Sequence, residues 1–444
     1  MKFLNKYILT IIGLICVISA SNIQWGKDSH GKNNWVGIIE SDGKGYYAYL
    51  PAIFIYHDLQ FSFFEEIEAK YFYDLKQEYR NKINGRMVNK YYAGTAVAMA
   101  PFFFAGHALT LITDNPADGY SKYYNILINI AGIFYMLAAL FFIRKLLRLY
   151  DISENIITLI LIAFAFGTNV YYYATIEPSM SHIYSMAFIS AFLFYTKKWF
   201  IQREQKTLVI IGLLLGMIIL IRPVNIIILL SIPFIAEEYE ILKSGILDLF
   251  KYPKALILAA LACIGVCSIQ LILYKLGTGN FIVYSYTEEG FFWTNPQMFN
   301  ILFGYKKGLF VYTPLIFLSF TGLFFLYKKS KFSFYTFLLN FIFITYVLSA
   351  WWCWYYGGSF GMRAFMEFYA LFAILLALSI KSITNTLKKN IFIAVIYILI
   401  FICQVQTYQY RYYYIHWSDM TKERYWDVFM RIDWLINKTN KPKF

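Results

Sequence analysis

The sequence is poor in charge. Asp, Glu, Lys and Arg make up 15% of its 444 residues, whereas an average soluble protein is about a quarter charged. The apolar residues lie in continuous runs that are long enough to cross a bilayer, and these runs recur along the whole chain. The sequence lacks the alternating strands of about ten residues that a membrane β-barrel requires. It therefore predicts an all-α polytopic membrane protein.

Recognisable motifs for disulfides, metals and nucleotides are also missing. The chain has five cysteines, four within apolar runs and one among tryptophans, with no paired framework and no Cys-x-x-Cys pattern. It has no Gly-rich phosphate loop of the P-loop or Rossmann type. Four of the five histidines, His57, His107, His182 and His416, have no metal-ligand spacing, and we expect them to be structural. The sequence therefore gives no sign of a nucleotide site or a zinc site.

The net charge of +14 is explained by membrane topology rather than by a nucleic-acid partner. With a cytoplasmic N-terminus, eleven crossings place 18 of the 40 basic residues and 7 of the 26 acidic residues inside, an excess of +11 against +3 outside. The first span is interpreted as an uncleaved helix, with a cleaved signal peptide as the alternative. The predicted spans are residues 3–21, 122–143, 154–174, 179–196, 207–221, 224–236, 255–276, 309–327, 332–350, 364–380 and 390–407.

Residues 91–113 are apolar enough to form a further crossing. If they crossed, however, the basic cluster at 144–150 would lie outside, and so would every basic cluster up to Lys206. Pro101 and Gly106 also weaken a straight span, although they do not forbid one. We therefore predict that this segment is re-entrant or lies along the membrane surface.

This topology gives the protein a large outward face. Residues 22–121 form a first outer loop, and residues 277–308, a tryptophan-rich turn at 351–363 and a tail at 408–444 also lie outside. The inner loops are short and basic. We therefore expect a single transmembrane catalytic domain, residues 1–407, whose machinery faces outward, followed by the short outward-facing tail.

Charged residues recur at the predicted outer turns. The first of them stand in the stretch ESDGKGYYAYLP, residues 40–51, which follows the first span. The charged residues of interest are Glu40, Asp42, Glu177, Arg222, Lys306, Lys307, Arg363 and Glu367. Because a charge at the end of a span is inexpensive, their presence alone does not establish a site.

Each of these residues has a structural alternative. The two carboxylates of the first loop fit an Asp-Gly turn, and Glu177 fits a helix N-terminus. Arg222 fits a cation that reaches the membrane interface, and the adjacent lysines fit contacts with lipid headgroups. Arg363 and Glu367 fit an i,i+4 pair that contributes little.

As a group, the same residues fit one chemistry. A sugar on a polyprenyl phosphate carries its own leaving group, and buried cations would neutralise the charge that develops on the phosphate. A carboxylate within hydrogen-bond reach would take the proton from an acceptor hydroxyl. Anionic neighbours would also favour the oxocarbenium-like transition state.

The motifs resemble those of GT-C glycosyltransferases, the integral-membrane class that uses polyprenyl-phosphate sugars and includes protein O-mannosyltransferases and lipid A aminoarabinose transferases. The class has an acidic motif on its first outer loop, which Glu40–Ser41–Asp42 matches. Juxtamembrane helices follow, a part that YLPAIFIYHDLQF and residues 91–113 can play, and then a basic turn such as RKLLRLY. The stretches IRPVN, KKGLFVYTP and WWCWYYGGSFGMRAFMEFYALFAI resemble bacterial members, and the tail IHWSDMTKERYWDVF resembles Bacteroidetes-type proteins. KYYAG stands where many relatives have a Lys-Pro-Pro run, and we expect no sizeable soluble C-terminal domain.

The resemblance implies roles for the individual residues. Asp42 would be the base or the carboxylate that orients the acceptor, Glu40 would support it, and Glu177 would be a second acidic group. The residues that would bind the donor phosphate are Arg222, Lys306, Lys307 and Arg363. Metal use varies within the class, so a divalent ion such as Mg²⁺ or Mn²⁺, held by Glu40 and Asp42, is left open.

The resemblance also implies partners and a location. The donor would be a polyprenyl-phosphate-linked sugar, and the acceptor a glycan, a lipid or a protein, joined by an inverting transfer at the periplasmic face of the inner membrane. A polymerase or ligase that takes a lipid-diphosphate glycan would use the same residue types. A transporter or flippase of a lipid-linked sugar would need broken helices at mid-bilayer, ideally in two matching halves, and the sequence shows no internal repeat. A non-catalytic scaffold is the remaining alternative.

Overall fold

The computed structural model describes residues 2–28, 31–72 and 77–433, and these residues are mostly helical. The first ten α-helices within them are α1 Lys2–Gln24, α2 Asp42–Phe54, α3 Phe64–Tyr71, α4 Gly94–Ile112, α5 Lys122–Arg148, α6 Glu154–Phe166, α7 Val170–Thr175, α8 Ser181–Gln202, α9 Gln205–Ile221 and α10 Ile232–Ala236. The others are α11 Tyr239–Leu249, α12 Pro253–Thr278, α13 Met298–Phe303, α14 Leu309–Tyr312, α15 Pro314–Ser319, α16 Thr321–Lys329, α17 Lys331–Ser349, α18 Tyr369–Ser382, α19 Thr386–Arg411 and α20 Lys422–Val428.

Shorter elements interrupt these helices. Segments of 3-10 helix span Asn34–Ile38, Pro223–Ser231 and Arg363–Phe368, the last of which leads directly into α18. The first outer loop also contains an antiparallel hairpin of β1 Arg80–Ile83 and β2 Arg86–Asn89. The hairpin is the one departure from an all-α chain within the described residues.

Each of the eleven predicted spans coincides with a helix or with a run of consecutive helices. The predicted span 154–174 is divided into α6 and α7, and the span 309–327 is divided into α14, α15 and α16, where Pro314 opens α15. Within the described residues, seven helices are long and apolar enough to cross a membrane by length and composition: α1, α4, α5, α12, α17, the 3-10 segment with α18, and α19. The chain is a polytopic helical membrane protein.

Residues that are predicted to lie on the same side of the membrane contact one another at both ends of the helix bundle. At one end, Lys197 contacts Glu237, which also accepts a hydrogen bond of 3.1 Å from Lys329. At the other end, the Gln24 side chain donates a hydrogen bond of 2.7 Å to the Thr175 carbonyl oxygen. Residues that the charge pattern assigns to the same side are therefore neighbours in space.

Helices α9 and α12 pack in parallel through two glycines of α9. A Cβ atom on Gly216 would lie 3.0 Å from the Cys263 carbonyl oxygen, and one on Gly212 would overlap the carbonyl of Ala259. The residue numbers increase in the same direction along both helices from one contact to the next, so the two helices are parallel. Small residues four apart allow such close backbone approach between membrane helices.

Helix α4, which covers most of the segment 91–113, packs along only the first half of α5. The Tyr135 hydroxyl donates to the Ala98 carbonyl oxygen at 2.9 Å, and a Cβ atom on Gly106 would lie 3.1 Å from the Tyr124 Cα atom. The two helices therefore run antiparallel between these contacts, far from Arg144 at the opposite end of α5. The proline within α4 does not interrupt the helix.

Candidate active site

Two glycines hold the start of α2 tightly against its surroundings. A Cβ atom on Gly43 would overlap the Ser179 side chain in the turn between α7 and α8, and one on Gly45 would overlap the Tyr91 ring. Larger residues at these positions would push α2 away from both neighbours. The alternating glycines of ESDGKGYY thus fix the position of Asp42, the first residue of α2.

Asp42 forms an ion pair with Arg363. The Arg363 Nη2 atom lies 2.5 Å from Asp42 Oδ2, and the Tyr91 hydroxyl donates to Asp42 Oδ1 at 2.7 Å. Burial raises the pKa of Asp42, but the charge of Arg363, the Tyr91 hydrogen bond and the charge of Lys90 outweigh it and hold that pKa below its ordinary value. Asp42 is therefore ionised at neutral pH, and both of its oxygens have partners.

Glu177 is held in a different way. The Tyr172 hydroxyl donates to Oε1 at 2.8 Å, whereas Oε2 is buried and has no hydrogen-bond partner among the described residues. Burial raises the pKa of Glu177 to about 7, with the negative charges of Glu40 and Asp42 adding to the rise and Tyr172 and Arg363 opposing it. A carboxyl group with this pKa can accept and release a proton near neutral pH.

Glu177 opens into a cavity of ≈ 510 Å³, which we call the outer cavity. Glu40 also lines it, and burial raises the pKa of Glu40 against the opposing charges of Lys44 and Lys32. The lining residues are Gly37, Ile38, Glu40, Ser41, Tyr172, Ile176, Glu177, Ser179, Gly358, Tyr410, Arg411, Tyr413 and Trp417. The first outer loop, the turn before α8 and the end of α19 with the following tail therefore enclose one space.

Lys307 lies behind this cavity. Its side chain is buried, donates a hydrogen bond to the Ser359 carbonyl oxygen and stands 5.2 Å from the centre of the Tyr410 ring. Burial and the charge of Arg363 lower the pKa of Lys307 to about 7, against the opposing charge of Glu177. Lys307 can therefore change its charge over the same pH range as Glu177.

A second charged cluster surrounds Arg222. Glu367 Oε1 lies 3.3 Å from Arg222 Nε and 2.7 Å from His182 Nδ1. The Glu367 and His182 side chains are fully buried, whereas the Arg222 side chain is partly exposed. Arg363 and Glu367 thus have different partners, because the 3-10 helix that carries them directs one toward Asp42 and the other toward Arg222. The alternative of an i,i+4 pair between Arg363 and Glu367 is wrong.

Arg222 lines a small pocket of ≈ 160 Å³, which we call the aromatic pocket. Its lining residues are Tyr46, Tyr92, Ile221, Arg222, Pro223, Val224, Tyr284, Tyr286, Phe291, Trp351 and Tyr356. An apolar groove of ≈ 210 Å³ between α9 and α12 adjoins this pocket and shares Tyr92 and Pro223 with it. A cation at the end of an apolar groove suits a lipid with an anionic headgroup.

The Asp42–Arg363 pair stands between the two spaces. Ser41, immediately before Asp42, lines the outer cavity, and Tyr46, one turn after it on α2, lines the aromatic pocket. Tyr91 joins the pair on the pocket side, where its ring contacts Tyr46 at 4.5 Å between centroids. The pair therefore lies between a cavity lined by Glu40, Glu177 and Arg411 and a pocket lined by Arg222.

The structure places most, but not all, of the expected site residues together. Lys306 turns away from Lys307 and lies 3.6 Å from the centre of the Tyr355 ring. The sequence did not point to Tyr91 and Tyr172 as partners of the site, and His182, which was expected to be structural, contacts Glu367. A polar or aromatic residue at the outer end of a predicted span is the signal that could have found them.

The sequence left open a divalent ion held by Glu40 and Asp42. Among the described residues, no group of three or more His, Cys, Asp and Glu side chains is arranged to hold one. The oxygens of Asp42 are already bonded to Tyr91 and Arg363. A divalent ion between Glu40 and Asp42 would therefore have to displace the arginine.

Comparison with known proteins finds structural likeness without sequence likeness. No family model and no curated protein matches the sequence. The archaeal oligosaccharyltransferase AglB from Archaeoglobus fulgidus, solved with an inhibitory peptide and a dolichol-phosphate, is similar with a TM-score of 0.51 and 12% identity over 99% of this chain. The apo form of the Archaeoglobus fulgidus oligosaccharyltransferase gives a TM-score of 0.50 and 10% identity over 98% of this chain.

The chain shares its fold with these archaeal oligosaccharyltransferases. It spans 59% of the length of either oligosaccharyltransferase chain, and nearly all of its own residues take part in the match. At this level of identity the likeness concerns the fold, and the function has to be argued from the site.

Proposed function

We propose that the protein is a membrane glycosyltransferase that moves a sugar from a polyprenyl-phosphate donor to an acceptor hydroxyl. The observation that carries this proposal is the Asp42–Arg363 pair with a different chemical environment on each side. One side offers the Arg222 cation and an apolar groove, and the other offers the carboxylates of Glu40 and Glu177. A transfer between a lipid phosphate and a hydroxyl needs both environments at one point.

In this proposal the donor binds in the groove and the aromatic pocket. The polyprenyl chain lies between α9 and α12, and its phosphate meets Arg222, whose guanidinium is oriented by Glu367 and His182. Arg363, the partner of Asp42, supplies a second positive charge for the leaving phosphate. The solved complex of AglB with a dolichol-phosphate supports a lipid-linked donor for this fold.

The acceptor enters through the outer cavity. Its hydroxyl oxygen attacks the anomeric carbon while its proton passes to the Glu177 carboxylate, the bond from that carbon to the phosphate oxygen breaks, and polyprenyl phosphate leaves. Asp42 stays ionised beside the sugar, where its negative charge favours the oxocarbenium-like transition state. Because donor and acceptor approach from opposite sides of the pair, we expect inversion at the anomeric carbon.

The difference in pKa between Asp42 and Glu177 changes the role assigned to Asp42. A carboxylate whose pKa is lowered by an arginine is a weak base, whereas Glu177, with a pKa of about 7, is suited to take a proton at neutral pH. We therefore propose Glu177 as the general base and Asp42 as the carboxylate that orients the sugar or the acceptor. Lys307 adds positive charge behind the site when it is protonated.

We also propose that the site faces the periplasm in the inner membrane, with eleven crossings and a cytoplasmic N-terminus. Helix α4 is then a juxtamembrane helix, and its contacts with α5 include Ala98–Tyr135 and Gly106–Tyr124 in the first half of α5. A cysteine reporter within residues 114–121 tests this arrangement. Labelling from the periplasm is expected, and labelling only from the cytoplasm would overturn it.

The activity is tested with purified protein, a panel of labelled polyprenyl-phosphate sugars and crude cell-envelope acceptors. Release of polyprenyl phosphate that depends on the acceptor, with mass spectrometry of the product, is the expected result. The panel should include diphosphate-linked oligosaccharides, because the oligosaccharyltransferase likeness favours oligosaccharide transfer as a second candidate. Movement of an intact donor between leaflets, with no bond broken, would instead indicate a transporter.

A further inference from the structure

A second large cavity lies on the first outer loop. It has a volume of ≈ 540 Å³, comparable with that of the outer cavity, and we call it the lysine cavity. Lys32, Lys70 and Lys122 line it together with Trp35, Tyr71 and Ser121. Among the described residues no carboxylate lines it.

The three lysines are not equally engaged. Lys70 donates a hydrogen bond of 2.7 Å to Asp118, whose carboxylate also accepts bonds from the Tyr71 hydroxyl and from the backbone amides of residues 120 and 121. Asp118 therefore lies outside the cavity lining, and both of its carboxylate oxygens already accept hydrogen bonds. Lys32 is exposed and Lys122 is half-buried, so both can turn toward a ligand in the cavity.

Ser121 gives the cavity an independent polar feature. Its side chain is only 2% exposed, and its hydroxyl has no hydrogen-bond partner among the described residues. It stands immediately before the first residue of α5, a helix of 27 residues, where the helix dipole favours negative charge. A buried hydroxyl without a partner at a helix N-terminus is suited to donate a hydrogen bond to an anion.

The remaining walls suit a sugar ring. Trp35 and Tyr71 meet edge to face with 6.1 Å between ring centroids, and Asn33 and Asn115 add amide groups to the lining. Aromatic faces beside amide and hydroxyl groups offer both the apolar and the polar contacts of a carbohydrate.

The lysine cavity and the outer cavity share one wall. This wall is the 3-10 helix Asn34–Ile38, whose Trp35 and Val36 line the lysine cavity and whose Gly37 and Ile38 line the outer cavity. The two cavities therefore adjoin the same short helix, and a glycan long enough to pass around it can occupy both.

We propose that the lysine cavity is a second subsite for the acceptor and that it selects a glycan with carboxylate or phosphate groups. An acidic sugar unit binds Lys32, Lys122 and the Ser121 hydroxyl and rests against Trp35, while a hydroxyl of a neighbouring unit lies in the outer cavity. The assignment of the ligand as the acceptor rests on the proposed glycosyltransferase function. The proposal that the cavity binds an acidic glycan does not rest on that function.

Binding is measured by isothermal titration of the full-length protein in detergent with tetragalacturonate, and with maltotetraose as the neutral probe. The double variant Lys32→Glu/Lys122→Glu should bind tetragalacturonate at least about tenfold more weakly, because two attractive charges become repulsive. The matched control is Lys27→Glu/Lys82→Glu, which makes the same charge change at exposed positions of the same loop outside the cavity. Ser121→Ala should weaken binding by roughly threefold without lowering Tm, because the hydroxyl has no partner to lose.

The proposal is overturned if maltotetraose binds as tightly as tetragalacturonate, if neither binds, or if the control loses as much affinity as the cavity variant. The transfer assay separates this result from the proposed function. Transfer from a lipid-linked donor together with unaltered binding by Lys32→Glu/Lys122→Glu would refute the subsite alone. Specific tetragalacturonate binding without transfer to any acceptor would refute the glycosyltransferase function alone.

Discussion

Replacing Glu177 by glutamine should make the protein more stable and inactive at the same time. The folded protein holds this carboxyl group buried, and its pKa rises from 4.5 to about 7. Because the folded-state pKa lies above the unfolded value, the ionised group destabilises the fold above pH 7, and this effect disappears below pH 4.5. A shift of this size corresponds to about 3 kcal/mol at alkaline pH, since one pKa unit is about 1.36 kcal/mol.

Glutamine has nearly the same shape and carries no charge, so Glu177→Gln removes this penalty. We expect its Tm in detergent to exceed that of the unaltered protein by a few degrees at pH 8, and the difference to shrink toward zero at pH 5. The exposed Glu66→Gln provides the matched control and should leave Tm unchanged at both pH values.

The same variant should lose roughly 10²–10⁴-fold in the rate of transfer, which is the usual contribution of a general base. Release of polyprenyl phosphate measures the rate, and the thermal unfolding curve shows that the loss does not come from unfolding. A Tm difference that does not depend on pH would refute the raised pKa. A stabilised variant with full activity would refute the role of Glu177 as base.

Three further changes probe the cations of the site. Lys307→Arg should extend activity to higher pH, because burial lowers the pKa of Lys307 to about 7 whereas arginine stays charged; an alkaline limb of the kcat/KM profile that does not move would contradict this. Asp42→Asn should stop transfer and lower Tm, because removing one partner of a buried ion pair costs about 3–5 kcal/mol and here leaves Arg363 without its carboxylate; an unchanged Tm would argue against a buried pair. Glu367→Gln should raise the KM for the donor by about tenfold and change kcat less, because Glu367 orients Arg222 without touching the sugar; a loss confined to kcat would exclude that role.

The sequence predicted the helical membrane fold because long apolar runs have no other stable form in a bilayer. It also indicated which charged residues share one side, since positive charge marks the inner loops. It did not predict the breaks between α6 and α7 or within the segment 309–327, because local interruptions are compatible with the same mean hydropathy. Nor did it predict the parallel contact of α9 and α12, although Gly212 and Gly216 stand four residues apart.

Within the candidate site, the sequence supplied residue types but not partners. Arg363 and Glu367 are four residues apart, which in an α-helix would bring them together, whereas the 3-10 winding of this segment sends them to Asp42 and Arg222. The pKa difference between Asp42 and Glu177 depends on burial and on these long-range pairings. No spacing rule in the sequence could have divided the two carboxylates between orientation and proton transfer.

The Asp42–Arg363 pair joins residues that are 321 positions apart in the chain. During synthesis the first outer loop therefore leaves the ribosome long before its arginine exists. A nascent or truncated chain that ends before residue 363 contains Asp42 but not the arginine that pairs with it. The proposed activity on a lipid-linked donor therefore requires nearly the whole polypeptide to be inserted, so incomplete copies in the membrane should neither consume donor nor modify an acceptor.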